Sequence, residues 1–401
     1  MLSLEEALTR LLCSIRPLAE TETLPVAEAL CRVLAEDVVS PIDVPAHANS
    51  SMDGYAVRGA DVDVPGKVLP VVQRIAAGQV GEPLRPGTAA RIFTGAPLPE
   101  GADAVVMQEQ CEPVEGGVRI QVVPQPRQWI REAGEDVRRG SVVLPRGMRL
   151  TPQALGLAAT VGRAQLTVVR RPRVALFSTG DELVMPGQPL KPGAIYNSNR
   201  DTLKGLLAQF GCECSDLGIV PDRLAATREA LRQAAEHHDL ILTSGGVSVG
   251  EEDHVKPAVE AEGRLDLWQI AIKPGKPLAF GEVRAQERSA WFIGLPGNPV
   301  SSFITFLVAV RPVIRALQGA AVDPPAPVWL PAGFDWPRPD KRREFLRVRR
   351  GADGRLELFP NQSSGVLTST VWADGVIDNA PGHAFRAGEL VPYLSFAEWM
   401  Q

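Results

Sequence analysis

The most constraining stretch of the chain is Thr243-Ser244-Gly245-Gly246-Val247-Ser248-Val249-Gly250-Glu251-Glu252-Asp253. A short apolar run, Leu240-Ile241-Leu242, leads into it and reads as a buried strand. A helical pattern over residues 255–262 leads out and is closed by Gly263. Strand, glycine-rich turn and helix in that order are an α/β signature. Gly245, Gly246 and Gly250 let the backbone turn sharply and aim its amides, beside the hydroxyls of Ser244 and Ser248, at something held close. The next helix starts near Asp253, so its positive end faces the same space and suits an anion. Asp253 is open to two readings, a cap on that helix or a carboxylate offered to a metal.

The surroundings extend the pattern. Strand signals at 174–177, 213–219, 240–243, 265–272, 278–280 and 290–293 alternate with helical signals at 200–209, 225–235, 255–262 and 300–317, the last bent at Pro312. This predicts a central three-layer α/β domain with a largely parallel sheet over 173–320. Upstream, residues 41–144 show little helical periodicity. Short β-like runs at 68–75, 90–94, 104–108 and 118–122 sit between Pro and Gly turns and predict an inserted β-rich domain. Helical spacing at 3–13, with a Ser3 to Glu6 capping box, and at 26–34 and 152–161 predicts a helical N-terminal subdomain formed by 1–40 and 145–172. The tail, 321–401, opens Pro-rich and returns to alternating β runs, a small separate β domain. Its basic stretch 338–350 reads as a solvated strand face, with contact to a nucleotide phosphate as the alternative.

In open α/β sheets ligands bind beyond the carboxyl ends of the strands. Five polar loops follow strands here: 178–182, 220–222, 244–253, 273–277 and 294–300. Asp181, Glu182, Asp222 and Asp253 supply hard carboxylate oxygens of the kind Mg²⁺ takes with water and phosphate oxygens. Lys273 and Lys276 put positive charge on a loop stiffened by Pro274 and Pro277, suited to a phosphate or another oxyanion. Gly294, Gly297 and Asn298 allow close backbone approach at a helix start. Taken singly, each carboxylate reads as a cap or surface pair and each lysine as a solvated turn residue. Five such loops at one edge point to a site.

Other chemistries find no support. The chain lacks Gly-x-x-x-x-Gly-Lys-Ser/Thr, Gly-x-Gly-x-x-Gly after a strand, His-Glu-x-x-His and Gly-x-Ser-x-Gly, and its five histidines show no metal spacing. Five scattered cysteines without a C-x-x-C pair suggest a reduced, cytoplasmic protein. A net charge of −5 argues against a general nucleic-acid or membrane-surface role. No signal peptide is evident, and the most apolar run, 300–310, is too short to span a bilayer.

Seven motifs in order resemble those of the molybdopterin molybdenumtransferases, the family that includes the gephyrin E domain. They are Asn49-Ser-Ser-Met-Asp-Gly-Tyr-Ala56, Ile92-Phe-Thr-Gly-Ala-Pro97, Glu132-Ala-Gly-Glu-Asp136, Phe177-Ser-Thr-Gly-Asp-Glu-Leu183, the 243–250 loop with Asp253, Ile272-Lys-Pro-Gly-Lys-Pro277 and Leu295-Pro-Gly-Asn-Pro-Val-Ser301. The resemblance covers essentially the full length. It implies a homodimer of four-domain chains, the last domain β-barrel-like, and a Mg²⁺-dependent reaction in which adenylylated molybdopterin and molybdate give molybdenum cofactor and AMP. It assigns function to Asp53, Thr94, Asp136, Glu182, Asp222, Asp253, Lys273, Lys276, Pro296 and Pro299, and through a looser match to Ser364. It further implies that the insert reaches across to the partner's α/β domain, and it leaves room for contact with other proteins of cofactor biosynthesis. The alternatives are a molybdopterin adenylyltransferase, whose single domain looks like 173–319, and a non-catalytic gephyrin-like scaffold. The additional domains with Asp53, Thr94 and Asp136 favour metal insertion over the first. The carboxylate and lysine set favours chemistry over the second.

Overall fold

A computed structural model describes residues 1–246, 254–286 and 288–400. Helix α1 (Leu4–Ser14) starts at the expected capping box: Ser3 Oγ accepts from the Glu6 amide and the Glu6 carboxylate accepts from the Ser3 amide. Its apolar face, Leu4, Ala7 and Leu11, is buried in the core of the α/β domain rather than in an N-terminal unit. That corrects the expected helical subdomain, and a second correction follows it. Residues 26–34 are not a helix. Thr21–Pro25 is a strand paired antiparallel with Gln165–Val169, followed by a single 3-10 turn, Val26–Glu28. Cys31 sits at φ 64°, in the left-handed region that a helix cannot continue through. The unit built from the two flanking segments holds α2 (Pro152–Thr160), capped by Thr151, and two small strand pairs around a shared core of Ala29, Leu34, Ala154, Ala158 and Leu166.

The 41–144 segment is β-rich. It forms a four-stranded sheet from Gly54–Val57, Val71–Ile75, Ala89–Ile92 and Ala104–Met107, and a three-stranded sheet from Lys67–Leu69, Cys111–Val114 and Gly117–Ile120. The single strand expected at 68–75 is two strands in different sheets. They are divided at Pro70, which has no amide to give a ladder.

The central sheet holds six strands in the order Glu213–Val220, Arg173–Thr179, Leu240–Ser244, Arg288–Leu295, Pro277–Ala285, Gly263–Gln269. The first four are mutually parallel and the last two pair antiparallel. Alternation along the strands divides the core into two layers. Val174, Leu176, Leu240 and Leu242 face α3 (Ser198–Gln209) and the 299–317 rod, while Ala175, Phe177 and Ile241 face α4 (Leu224–His237) and α5 (Val255–Glu262). After Arg173–Thr179 the chain leaves through α3 to one neighbouring strand and returns through α4 to the other. The switch point of the sheet therefore lies between Thr179 and Ser244.

The rod contains α6 (Pro299–Thr305), a π segment Phe306–Val310 and α7 (Arg311–Leu317). Pro312 cannot donate to the helix ladder. The irregularity lies just before it, where the Arg311 amide reaches back to the Phe306 carbonyl. The rod has 19 residues and is apolar enough by length and composition to cross a membrane, a longer run than 300–310, yet 89% of its most apolar 18-residue stretch is buried inside the protein. Its hydropathy is that of a core helix.

The C-terminal sheet runs Ile272–Lys273, Arg343–Arg350, Gly375–Asn379, Leu390–Ser395, Val328–Pro331, with Leu356–Leu358 on Arg343–Arg350. A lone Ala332 to Leu356 bridge links its far strand to Leu356–Leu358. Its first strand is borrowed from the α/β domain.

Candidate active site

A cleft of about 740 Å³ opens at the switch point, beyond the carboxyl ends of the parallel strands. All five predicted loops reach it among the described residues, the fourth only through Pro277. Thr179, Gly180 and Glu182 come from the first, Asp222 from the second, Ser244, Gly245 and Gly246 from the third, and Pro296, Gly297, Asn298 and Pro299 from the last. Ser248, Gly250 and Asp253 lie outside the described residues.

Gly245 and Gly246 both have positive φ, 91° and 63°. A Cβ on Gly245 would stand 2.7 Å from the Thr179 carbonyl oxygen, and one on Gly246 2.5 Å from a Val255 methyl, so the tight turn requires glycine. The Gly245 amide donates to the Leu295 carbonyl at 3.1 Å, and a Cβ on Gly297 would stand 3.8 Å from Gly245 Cα, so the third and fifth loops lie side by side.

The residue that ties these loops is one that the sequence reading missed. Asn199, 9% exposed, donates from Nδ2 to Ser244 Oγ and to the Gly297 carbonyl, both at 2.7 Å. It lies in the first turn of α3, which begins at Ser198 rather than at 200, with Asn197 Oδ1 accepting from the Arg200 amide as the N-cap. The helix-cap pattern of Asn197-Ser198-Asn199 was readable, but the direction of its side chains was not. α3 is 12 residues long and points its amino end into the cleft, as does α6 beginning at Pro299. Two buried polar atoms of cleft-lining residues, Thr179 Oγ1 and Asn197 Nδ2, have no hydrogen-bond partner among the described residues. Such groups are costly unless a ligand or water completes them.

The fourth loop is divided. Lys276 is exposed and has no ion pair among the described residues, and its neighbour Pro277 lines the cleft. Lys273 instead pairs with the C-terminal domain, its Nζ 3.3 Å from Glu344 Oε1 and 3.4 Å from Asp340 Oδ2. Glu344 is fully buried and also accepts from Trp336 Nε1. Hydrogen bonds from Arg342, with Lys273 adding its charge, hold the Asp340 carboxyl well below the usual carboxylate range.

The C-terminal domain reaches the cleft directly. Gly365 lines it, and the Ser364 carbonyl accepts from the Val300 amide at the start of α6. Arg347 supports this loop from beneath, donating to the carbonyls of Ser363 and Phe345 and to Ser369 Oγ. It is 1% exposed, not solvated as the basic stretch suggested, and burial pushes its pKa down to about 10.

Asp181 lines a second cavity, about 650 Å³, whose wall also includes Glu182. Among the described residues no three His, Cys, Asp or Glu side chains form a ready metal cluster. None of the residues lining the main cleft comes from 41–144. Asp53 and Thr94 meet within that segment, where Asp53 Oδ1 accepts from the Thr94 amide at 2.8 Å and its hydroxyl at 2.7 Å. The two bonds, the amide first, lower the Asp53 pKa. Asp136 is exposed on the same segment, its amide bonded to the Val44 carbonyl.

A cleft of this kind on a four-part chain defines an enzyme class in which an α/β ligand-binding domain is embedded among additional β-rich units. Family models match along the chain: "MoeA N-terminal region (domain I and II)" over residues 2–162, "Probable molybdopterin binding domain" over 175–316 and "MoeA C-terminal region (domain IV)" over 330–396. The molybdopterin molybdenumtransferase of Haemophilus influenzae is 47% identical over 80% of this chain and 78% of its own length. That of Bacillus subtilis is 35% identical over 98% and 94%. The crystal structure of a molybdopterin biosynthesis moeA protein from Pyrococcus horikoshii OT3 superposes with a TM-score of 0.87 at 29% identity, covering 99% of this chain and 100% of that one. The chain belongs to the molybdopterin molybdenumtransferase family and serves molybdenum cofactor biosynthesis.

Proposed function

We propose that the protein inserts molybdate into adenylylated molybdopterin in a Mg²⁺-dependent reaction that releases AMP. The observation that carries this reading is the cleft at the sheet's switch point. There, unpartnered Thr179 Oγ1 and Asn197 Nδ2, the Gly245–Gly246 turn and the amino ends of α3 and α6 all suit a phosphate-bearing ligand. Exposed Ile195 and Tyr196 at the same cleft offer apolar and aromatic surface for a flat pterin ring. Glu182 and Asp222 contribute hard oxygens of the type Mg²⁺ accepts together with phosphate, so the donor set fits that ion. Mg²⁺, when bound, supplies charge neutralisation at the phosphoanhydride. The chain's own residues do the rest: the glycine turn and Asn199 fix the loops, and Lys276 offers a mobile cation to molybdate or phosphate. Five free thiols suit a reducing cytoplasm.

The reading includes a homodimer in which Asp53, Thr94 and Asp136 of one chain complete the cleft of the other, since that segment supplies no lining residue to its own. Incubation with adenylylated molybdopterin, Mg²⁺ and molybdate should release AMP. AMP attachment to molybdopterin instead would identify an adenylyltransferase, and neither reaction would leave a scaffold. Chain sharing is tested by mixing Asp136→Ala with Asp222→Ala protein after mild dissociation. Random pairing should restore about a quarter of wild-type sites, because half the dimers are mixed and each of these holds one intact site. Verified mixed dimers without recovery would rule out sharing.

A further inference from the structure

Arg149, Arg311 and Arg315 lie on the far side of the α/β domain from the glycine turn, where α3 ends. Arg149 Nη2 donates to the Gln209 carbonyl at the end of α3, and Gln318, just past the end of α7, donates to the adjoining Phe210 carbonyl. This brings Arg149 to the face of α7 that carries Arg311 and Arg315, four residues apart and therefore on one side of the helix. Neither Arg311, 5% exposed, nor Arg315 nor Arg149 has an acidic partner among the described residues. The Nε atoms of Arg311 and Arg315 are buried without any hydrogen bond there. Burial lowers the Arg311 pKa to about 10, with Arg315 and Arg149 adding repulsion, and Arg315 is lowered for the same reasons.

Helix ends account for part of this. Arg149 meets the negative end of α3, and Arg315 occupies the last turn of α7. Arg311, in the middle of the rod, has neither compensation. Three neighbouring guanidiniums, one almost wholly buried, carry a desolvation and mutual repulsion that a bound anion would offset. The further contact of Arg315 Nη1 with the Ala321 carbonyl, at 3.5 Å, brings no negative charge. Guanidinium forks match tetrahedral oxyanions in geometry as well as charge. We infer that Arg149, Arg311 and Arg315 form a second oxyanion site, for inorganic phosphate or an ion of the same shape, at the junction between the N-terminal unit and the α/β domain. Bound there, the ion ties the 145–150 loop to α7 and steadies the carboxyl end of the helix whose amino end lines the cleft.

The test is thermal unfolding of the full-length protein in phosphate against chloride at matched ionic strength, with phosphate titrated calorimetrically. Wild type should melt higher in phosphate. Arg315→Gln should lose most of that rise and bind phosphate at least ~10-fold more weakly, the loss of a charged hydrogen-bonding partner. Arg149→Gln, outside the rod and half-buried, should do the same. In chloride, Arg315→Gln should be at least as stable as wild type, because one unbalanced like charge is gone. No phosphate-specific rise in wild type would overturn the proposal. So would a rise kept in both variants, which would place the phosphate in the catalytic cleft.

Discussion

At the scale of single residues the cleft is held by short polar side chains whose identity is exacting. Asn199 is the sharpest case, because only a side-chain amide donates to both Ser244 Oγ and the Gly297 carbonyl. Asn199→Ala should cost roughly 1–3 kcal/mol, the penalty for leaving buried groups unpaired. Asn199→Asp should cost more, since a carboxylate oxygen would face a carbonyl oxygen. Urea titration orders the two variants, and equal stability would remove Asn199 from its tying role. Thr94→Val is the counterpart in the β-rich segment. It deletes one of the two bonds that lower the Asp53 pKa, so the carboxyl should titrate nearer its ordinary value by NMR, and cofactor synthesis should fall with it. Residues of this kind were unevenly legible in the sequence. Gly245 and Gly246 announced themselves, because a tight turn needs glycine and little else does. Asn199 and Arg347 did not. One resembled an ordinary helix start and the other a surface cation, and only the packing of distant strands reveals which way either points.

At the scale of elements, the join between the N-terminal unit and the central sheet rests on a buried ion pair. Arg170 reaches Asp239 through two bonds of 2.7 and 2.8 Å, and the Arg173 amide adds a third at 2.8 Å. Burial alone would raise the Asp239 pKa, but these bonds more than offset it and the net shift is downward. A depressed folded pKa gives stability that is complete above the unfolded value of about 4 and is lost as pH falls through the folded one. Asp239→Asn should therefore lower stability by about 3 kcal/mol at neutral pH and flatten the acid limb of unfolding, both readable by circular dichroism. Elements also show why the sequence reading failed where it did. Most strands and helices of 173–320 could be placed from periodicity because each is buried on both faces or one. The run expected as one strand at 265–272, however, is two, Gly263–Gln269 and Ile272–Lys273, in different sheets. Residues 26–34 carry a helical spacing too, yet the left-handed Cys31 and the bridges of Val33 to Arg149 and Leu34 to Val168 override it.

At the scale of the whole molecule, the order of the parts along the chain differs from their order in space. α1, first in sequence, packs among residues of the C-terminal domain such as Phe345, Phe396 and Trp399 as well as against the rod. Ile272–Lys273, deep within the α/β segment, is the edge strand of the C-terminal sheet, in register with Arg343 and Glu344. Lys273→Met should accordingly weaken the attachment of the last domain and strand the buried Glu344 without its cation. Limited proteolysis near residues 321–327 should then run faster than in wild type. The shared strand has a larger consequence for how such a chain can be cut or grafted. A protein shortened at about residue 320 would keep every motif of its α/β domain, yet it would present a raw strand edge and a stripped apolar face on α1, where another molecule could adhere. The unit of inheritance and of engineering here is the ensemble of parts, because the seam visible in the sequence runs through the middle of a sheet.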